Sequence, residues 1–406
     1  MTAGRSAEDW ESLPTMLCRV CGADVPAGTY CGLCGATALP KRGDGPAWLR
    51  LRAYAAAPNE HVLRPAITTS VFPHVPRRSR WAFRVALIVL LALLVAFALL
   101  RWQPPLIGIS AIGLPLLFGL YLRETDAFGD QSIVTLAVTT VGAIALGIGW
   151  AFATDAILKR TFDDVLGTPM TTADLFINLG AIPIAGVLLV LALIVLMRLL
   201  RPGARESLDG FVIGALAALC FTAAGMLTRA APEFANGLVA KDFPMDALLA
   251  LAAIRGVAAP LTAAAVGGMV GATLWFRRRT DPGTVQHWYS LTSPAPAVAI
   301  ALIAYVAQNR IDFAWISYGQ IVGLYAVITV LALLTLRIVL HRSLLLEAPD
   351  EASPNEPVLC TQCEHVVPDL AFCANCGIAA HAASRTSRAA RRGSRPTPVV
   401  VAPESR

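Results

Sequence analysis

Eight of the nine cysteines lie in two sets, one near each end of the chain, and both sets have the spacing C-x2-C-x9-C-x2-C. Two residues between paired cysteines let one tight turn present two thiolates to one ion, and two such turns complete a closed tetrahedral site. A module of about 20 residues has too small a core to fold alone, so a metal ion must stabilise it. The predicted zinc ligands are Cys18, Cys21, Cys31 and Cys34 in a first ribbon, and Cys360, Cys363, Cys373 and Cys376 in a second.

The two cysteine sets belong to a longer internal repeat. A proline follows the second cysteine, an aromatic residue precedes the third, and a glycine follows the fourth; these are Pro26, Tyr30 and Gly35 in the first set and Pro368, Phe372 and Gly377 in the second. Because the spacing is shared, we hypothesise that the two ribbons pair into one double ribbon.

Other interpretations of the cysteines are weaker. Disulfides are disfavoured if the modules are cytoplasmic, and a redox motif would need a βαβ unit that is not evident nearby. His365 lies between the pairs of the second set and could replace one ligand, although a surface position is favoured. Cys220 lies in an apolar stretch and is interpreted as a buried thiol.

The composition indicates what must position these ribbons. The 406 residues are 56% hydrophobic and 15% charged, and the mean hydropathy is +0.62. Because soluble domains carry roughly 25% charged residues, a soluble globular enzyme is disfavoured. We therefore predict an α-helical polytopic membrane bundle of about eight transmembrane helices, with small four-cysteine zinc-ribbon modules at both termini. The apolar stretches lie at 82–100, 105–122, 132–153, 175–197, 210–228, 256–276, 297–309 and 315–337.

Basic residues in the short loops predict the orientation. Counting Arg and Lys next to the predicted spans favours a cytoplasmic N-terminus roughly two to one. An even number of spans returns the C-terminus to the same side, so we expect a multi-pass protein of the plasma or inner membrane with both termini cytoplasmic. Only three lysines accompany many arginines, which is associated with GC-rich bacterial genomes.

The chain is predicted to divide by composition. The segments are a flexible N-terminus at 1–16, the first zinc ribbon at 17–37, a Pro- and Arg-rich linker at 38–80, the transmembrane domain at 81–342, an acidic linker at 343–357, the second zinc ribbon at 358–379 and a basic disordered tail at 380–406. The first linker fits either short strands or an extended segment on the membrane surface.

The basic tail contains an arginine cluster without a hydrophobic core: Arg385, Arg388, Arg391, Arg392 and Arg395. Attraction to anionic lipid would contribute about 1 kcal/mol per basic residue near the membrane surface. Nucleic acid is disfavoured as a partner because no aromatic residues are interleaved for base stacking.

Three segments of the membrane core form a pattern: 209–215 continuing to 219–221, 255–260, and 181–184. They are similar, in that order, to a D-G-x-x-x-G-A motif followed by L-G-F, to the stretch before a membrane histidine, and to the approach to paired glutamates in PrsW-type intramembrane metalloproteases. Roughly residues 81–340 thus resemble this family, which implies metal-dependent peptide hydrolysis within the membrane.

The catalytic groups of that family are not found at the matching positions. The E-E-x-x-K motif falls on 185–189, the E-N pair on Gly225 and Met226, and the expected histidine within 261–264. Peptide hydrolysis by metal-activated water needs imidazole or carboxylate ligands and a group that transfers protons. The departures imply a catalytically silent relative, and no catalytic residue is assigned. Asp209 is expected instead to cap the helix that follows it.

The favoured function is therefore a membrane anchor or adaptor whose zinc ribbons dock an unidentified protein partner, for example by strand addition. One alternative is an active PrsW-family protease acting in regulated intramembrane proteolysis. The other alternative is a transporter or channel, which is disfavoured because no polar ladder follows any span. We interpret the glycines of the spans as sites of close helix packing: Gly142, Gly147, Gly149, Gly267, Gly268 and Gly271.

Overall fold

The structure is a computed structural model, and it describes residues 14–39, 43–46, 49, 53–66, 69, 80–125, 130–163, 180–200, 206–235, 239, 244–277, 292–312, 314, 316–347 and 357–393. Within these residues the chain forms a helical bundle and two small β-modules. Because the helices derive from long apolar runs with few charged residues, most of their surface is hydrophobic and faces either another helix or the outside of the bundle.

The bundle helices follow the apolar stretches of the sequence. They are α1 (Arg80–Leu99), α2 (Gln103–Glu124), α3 (Ile133–Asp163), α4 (Ile182–Leu200), α5 (Ser207–Ala230), α6 (Met245–Ala253), α7 (Ala259–Trp275), α8 (Pro294–Asp312) and α9 (Tyr318–Leu346). A π-helical turn, Ile254–Ala258, joins α6 to α7, and a 3-10 turn, Ala231–Ala235, follows α5.

Seven helices of the described part are long and apolar enough to cross a membrane: Trp81–Leu99, Gln103–Glu124, Ile133–Lys159, Ile182–Leu200, Ser207–Phe234, Met245–Trp275 and Tyr318–Leu346. The predicted stretch at 297–309 is helical and lies in α8, but α8 is not among the seven. Its last turns contain Gln308, Asn309, Arg310 and Asp312, which lower its hydropathy. The structure therefore supports a polytopic helical bundle without confirming eight spans.

Several boundaries differ from those predicted. Helix α3 continues to Asp163, ten residues beyond the predicted end at 153. Helix α4 begins at Ile182 rather than 175, and residues 175–179 lie outside the described part. The span predicted at 256–276 begins earlier, because α6, the π turn and α7 make one continuous span, Met245–Trp275.

Contacts at the helix ends define two ends of the bundle. At the end that we call the ribbon end, α9 finishes and α5 begins, and the β-modules lie against it. At the opposite, far end, the Gln103 amide donates to Glu233 at 2.5 Å, and the Tyr325 hydroxyl donates to Asp312 at 2.7 Å. Helix α8 thus ends at the far end beside the start of α9. Its Ala301 lines a small cavity together with residues in the middle of α4 and α7.

Helices α5 and α7 form the centre of the bundle and pack backbone against backbone. A Cβ at Gly214 would lie closer than 3.0 Å to the carbonyl oxygen of Gly267, and the same holds between Gly210 and Gly271. Small residues allow this approach, which increases dispersion contacts in a setting without water. The packing interpretation is confirmed here, whereas a Cβ at Gly149 would meet no atom within 4 Å.

The hydrogen-bond donors at the start of α5 find their acceptor in a residue that follows the end of α9. Glu347 follows α9, and its carboxylate accepts hydrogen bonds from the Ser207 backbone N–H at 2.7 Å and from the Ser207 hydroxyl at 3.0 Å. Burial, together with the nearby carboxylates of Glu206 and Asp209, raises the pKa of Glu347 to about 8 despite the hydrogen bonds from Ser207, which lower it. Asp209 is therefore not the cap that the sequence predicts; it lies inside the first turn of α5 and pairs with Arg385.

The β-modules each contain one antiparallel hairpin. Strand β1 (Thr15–Leu17) pairs with β2 (Asp24–Pro26), and β3 (Pro357–Leu359) pairs with β4 (Val366–Pro368). The described part of the first linker contains turns and no strand, so the strand alternative for 38–80 finds no support in the residues that are described.

The predicted disordered tail is structured over its first part, which corrects that expectation. Residues Ala380–Ala382 form a 3-10 turn and Arg385–Gly393 form helix α10. The disorder prediction rested on the lack of apolar residues, but charged contacts to the bundle and to the second ribbon order this segment. The rest of the tail, 394–406, lies outside the described residues.

The close approach of α5 and α7 predicts the effect of one substitution. Gly214→Val should destabilise the protein by at least about 1–3 kcal/mol, because the new side chain has no space beside Gly267. Gly149→Val is the matched control, since its Cβ meets open space in another span. The measurement is thermal unfolding of both full-length variants in detergent; equal midpoints would contradict the packing argument.

Candidate metal centres

The first four-cysteine set is built from two similar turns, each of which we call a knuckle. In the first knuckle, the Gly22 N–H donates to the Cys18 carbonyl at 2.9 Å, and in the second the Gly35 N–H donates to the Cys31 carbonyl at 2.8 Å. Both glycines have positive φ, 70° and 68°, which residues with a side chain rarely adopt. The spacing C-x2-C-G therefore folds locally into a turn that aims both thiols to one side.

The second set repeats this geometry almost bond for bond. The Glu364 N–H donates to the Cys360 carbonyl at 3.1 Å, and the Gly377 N–H donates to the Cys373 carbonyl at 2.9 Å. Gly377 has φ of 75°, and Glu364 adopts φ of 58° where the first repeat has glycine. The sequence repeat is thus a structural repeat.

The thiol groups of each set converge on one point. In the first ribbon the Sγ atoms of Cys18 and Cys34 are 3.6 Å apart, and those of Cys21 and Cys31 are 3.8 Å apart. The equivalent distances in the second ribbon are 3.9 and 3.8 Å. Four sulfurs around a tetrahedral ion at Zn–S distances of ~2.3 Å lie ~3.8 Å from one another, so both sets match a four-thiolate site. Disulfide sulfurs would be separated by ~2.05 Å, which excludes that alternative for these pairs.

The thiols cannot all ionise without a cation. Hydrogen bonding from Cys34 lowers the pKa of Cys31 to about 5, and the same bond raises the pKa of Cys34. In the second ribbon, hydrogen bonds from the other thiols lower the pKa of Cys363 while that of Cys376 rises. Four sulfurs this close repel one another as anions, so a bound divalent cation is what allows four thiolates.

The two remaining candidates occupy ordinary positions. His365 is exposed, and its Nδ1 lies 2.7 Å from the Cys363 carbonyl, so it is not one of the converging groups. Cys220 is buried in α5, as the sequence predicts. Among the described residues, the two four-cysteine sets are the groups of three or more potential ligands that lie within bonding reach of one ion.

The two ribbons contact each other through a reciprocal pair of hydrogen bonds. The Tyr30 N–H donates to the Ala374 carbonyl at 2.9 Å, and the Phe372 N–H donates to the Gly32 carbonyl at 2.8 Å. Phe372 is the repeat equivalent of Tyr30, and Ala374 is the equivalent of Gly32, so the contact has pseudo-two-fold symmetry. The hypothesis of a double ribbon is confirmed.

A loop from the first linker, 53–66, fastens the double ribbon to the bundle. Its Asn59 N–H donates to the Cys376 carbonyl at 3.0 Å, and its Ala55 carbonyl accepts from the Ala379 N–H at 2.8 Å. On its other side, the Ala55 N–H donates to Nδ1 of His341 at 3.3 Å. The loop therefore bridges the second knuckle of the second ribbon to the last turns of α9.

Arg337 is the main anchor of this loop on the bundle. It is 1% exposed, and its guanidinium donates to the carbonyls of His61 at 2.9 Å and Val62 at 3.2 Å. The guanidinium also lies 3.7 Å from the centre of the Tyr54 ring and 3.6 Å from a Glu60 oxygen. These partners offset the cost of burying the charge. Arg337 is not among the residues that the sequence singles out, although a charged residue one helical turn from His341 in an apolar run is a signal that could have found it.

Comparison with protein-family models, with curated proteins and with solved structures finds no match to the chain. What the residues themselves define is a helical, membrane-type protein with two four-cysteine sets at one end of its bundle, each of which could hold a metal ion. The resemblance to PrsW-type proteases stays a prediction.

The two cysteine sets predict how many metal ions each protein molecule binds, and cysteine variants can test each site separately. Full-length protein in detergent should bind two equivalents of a thiophilic metal, one per cysteine set. Cys18→Ser with Cys21→Ser, and separately Cys360→Ser with Cys363→Ser, should each remove one equivalent. Cys220→Ser is the control and should keep both, because this thiol lies in α5. Elemental analysis of the purified variants is the measurement, and two equivalents retained by either double variant would contradict the assignment.

Proposed function

We propose that this chain is a multi-pass membrane adaptor whose paired zinc ribbons present a docking surface for a protein partner. The observation that carries the proposal is the reciprocal contact between the ribbons together with their attachment to Arg337. A module held this firmly at one end of a membrane bundle can place a bound partner at a fixed position beside the bilayer.

Zinc is the proposed metal for both sites. Sets of four cysteines with no open position are typical of structural zinc, and such a site leaves no coordination position for catalysis. The thiolate donors also favour zinc over magnesium or calcium, which bind oxygen.

We further propose eight crossings, with α8 as the crossing that hydropathy does not detect. The two ribbons lie together on one side, and one precedes the bundle helices in the sequence while the other follows them. The chain between them must therefore cross the membrane an even number of times. Helix α8 has 19 residues, and its charged residues, Arg310 and Asp312, lie in the last turn at the far end. Charges at that depth can reach the membrane surface. Both termini would then be cytoplasmic.

The first ribbon is the proposed face for the partner. Its knuckle tips carry apolar side chains, Val20 and Leu33, which are 42% and 38% exposed. The equivalent residues of the second ribbon are polar: Gln362, which is buried, and Asn375. The two copies of the repeat therefore differ: the knuckle tips of the first ribbon are apolar and partly exposed, and those of the second ribbon are polar. Apolar residues on a small module at a fixed site favour a protein partner.

The membrane core is proposed to be PrsW-like and catalytically silent. Residues 209–215 begin α5, and Asp209 is engaged by Arg385 rather than by a metal-ligand set. Residues 255–260 include most of the π turn before α7. The proposed role of this core is to anchor the ribbons, and no step of peptide hydrolysis is assigned to it.

The eight-crossing arrangement predicts on which side of the membrane the loops before and after α8 lie. An epitope tag inserted after Ala314 of the full chain should be accessible to protease outside intact cells, whereas a tag after Thr284 should be protected until the cells are lysed. A tag after Arg406 is the control for the cytoplasmic side. Equal accessibility of the first two tags would show that α8 does not cross.

The adaptor role predicts partner capture by the first ribbon. A photo-crosslinking amino acid at Val20 or Leu33 should give a discrete crosslinked product in cells that make the full chain. The same probe at Asn375, the repeat equivalent of Leu33, is the matched control and should give much less. The product from Leu33 should disappear when Cys18 and Cys21 are serine, because the ribbon then loses its metal.

Other results of this experiment would contradict the adaptor proposal. A crosslinked product that forms equally well when Cys18 and Cys21 are serine would contradict the proposed docking surface. So would the absence of a crosslinked product from both Val20 and Leu33. A captured protein that is cleaved, with the cleavage lost on adding a chelator, would favour the protease alternative.

A further inference from the structure

Helix α10 joins the membrane bundle to the second ribbon, and its first turn binds the bundle. Asp130, just before α3, accepts hydrogen bonds from the Thr386 N–H at 2.8 Å and from the Thr386 hydroxyl at 2.5 Å. Arg385 pairs with Asp209, and Arg388 pairs with Glu206 at 2.6 Å. Asp130, Glu206 and Asp209 line a cleft at the ribbon end, which the residues just before α10, 382–384, close on one side, and the arginines of α10 pair with two of its carboxylates.

The last turn of α10 binds the second ribbon. Arg391 donates to the Leu359 carbonyl at 2.8 Å, and Arg392 pairs with Asp369 at 2.9 Å. Leu359 directly precedes Cys360, and Asp369 lies between the two cysteine pairs. Both ribbon-side anchors therefore keep their positions only while the fold around the second metal centre is intact.

Helix α10 has little stability of its own. It is nine residues long, contains no aliphatic side chain larger than alanine, and has five positions that are arginine or glycine. Isolated helices shorter than about 12–15 residues are marginal in water, so α10 depends on its contacts at both ends. These contacts are almost entirely charged, and charged contacts are weakened by salt. Losing the anchors at one end should therefore release the other.

We propose that α10 is a metal-dependent clasp: with metal in the second ribbon it locks the ribbon onto the bundle and covers the acidic cleft, and without metal it detaches and uncovers Asp130, Glu206 and Asp209. The proposal goes beyond the adaptor function and does not depend on a partner. The acidic cleft would then be exposed only in the metal-free protein, which makes loss of zinc a signal that reaches the membrane bundle.

Limited tryptic digestion of the full-length protein in detergent tests the clasp, because the arginines of α10 are themselves the cleavage sites. Mass spectrometry would quantify cleavage after Arg385, Arg388, Arg391 and Arg392 at short times. Cleavage should be slow in the metal-loaded wild type. It should be about tenfold faster or more after chelation, and equally fast in Cys360→Ser with Cys363→Ser.

The bundle-side anchors are tested with the metal in place. Glu206→Gln with Asp209→Asn should speed cleavage by a similar factor while both metal equivalents remain, which shows that the ribbons are folded. Asp155→Asn is the matched control, because this exposed carboxylate pairs with Lys159 at 2.7 Å, away from α10. Raising the salt concentration should also speed cleavage of the wild type.

Two results would overturn the proposal. Cleavage in α10 that stays at the wild-type rate in the metal-free protein would show that the metal does not hold the helix. An unchanged rate in Glu206→Gln with Asp209→Asn would show that the acidic cleft does not hold it.

Discussion

The reciprocal hydrogen bonds between the two ribbons join the two ends of the chain, and the rest of the architecture must be compatible with that junction. The Tyr30 and Phe372 amides donate to equivalent carbonyls across a pseudo-two-fold axis, although more than three hundred residues separate them. Both ribbons therefore lie at one end of the bundle. The helices between the ribbons must therefore return the chain to the end where it left the first ribbon, and the last turn of α8 lies beside the start of α9 at the opposite end. The contact between the ribbons thus constrains the path of the chain between them.

What the sequence predicts well is local. The C-x2-C-G knuckles, their positive φ at Gly35 and Gly377, and the eight converging thiols all follow from residues within a few positions of one another. The apolar stretches likewise predict helices, because in a membrane-type chain every backbone group must be satisfied inside its own helix. Even the pairing of the ribbons could be hypothesised, since two copies of one module with a shared surface can pair symmetrically. Boundaries are predicted less accurately: polar residues extend α3 beyond its apolar core, and α4 begins only at Ile182.

What the sequence does not predict depends on contacts between distant residues. Composition alone makes residues 385–393 a disordered basic tail, but Asp130, Glu206 and Asp369 from three separate parts of the chain order it as a helix. The loop at 53–66 lacks any periodic pattern and is ordered by Arg337 and by the backbone of the second ribbon. The start of α5 has no capping side chain of its own, because Glu347 from another helix accepts from Ser207 instead. In each case a charged or polar group finds its partner across the fold, where neither propensity nor spacing indicates it.

The buried charge of Arg337 explains why the bundle and the ribbons behave as one unit. An unpaired guanidinium at the end of a membrane helix would carry a desolvation cost of several kcal/mol. Here the His61 and Val62 carbonyls and the Tyr54 ring supply its partners, and all three belong to a loop that is itself held by the second ribbon. The stability of the end of α9 and the order of the loop are therefore coupled. The loop carbonyls accept from the buried guanidinium of Arg337, and Arg337 in turn supplies donors to those carbonyls. The loop therefore connects the second ribbon to α9, beside a bundle centre in which the glycines of α5 and α7 pack too closely to accept larger side chains.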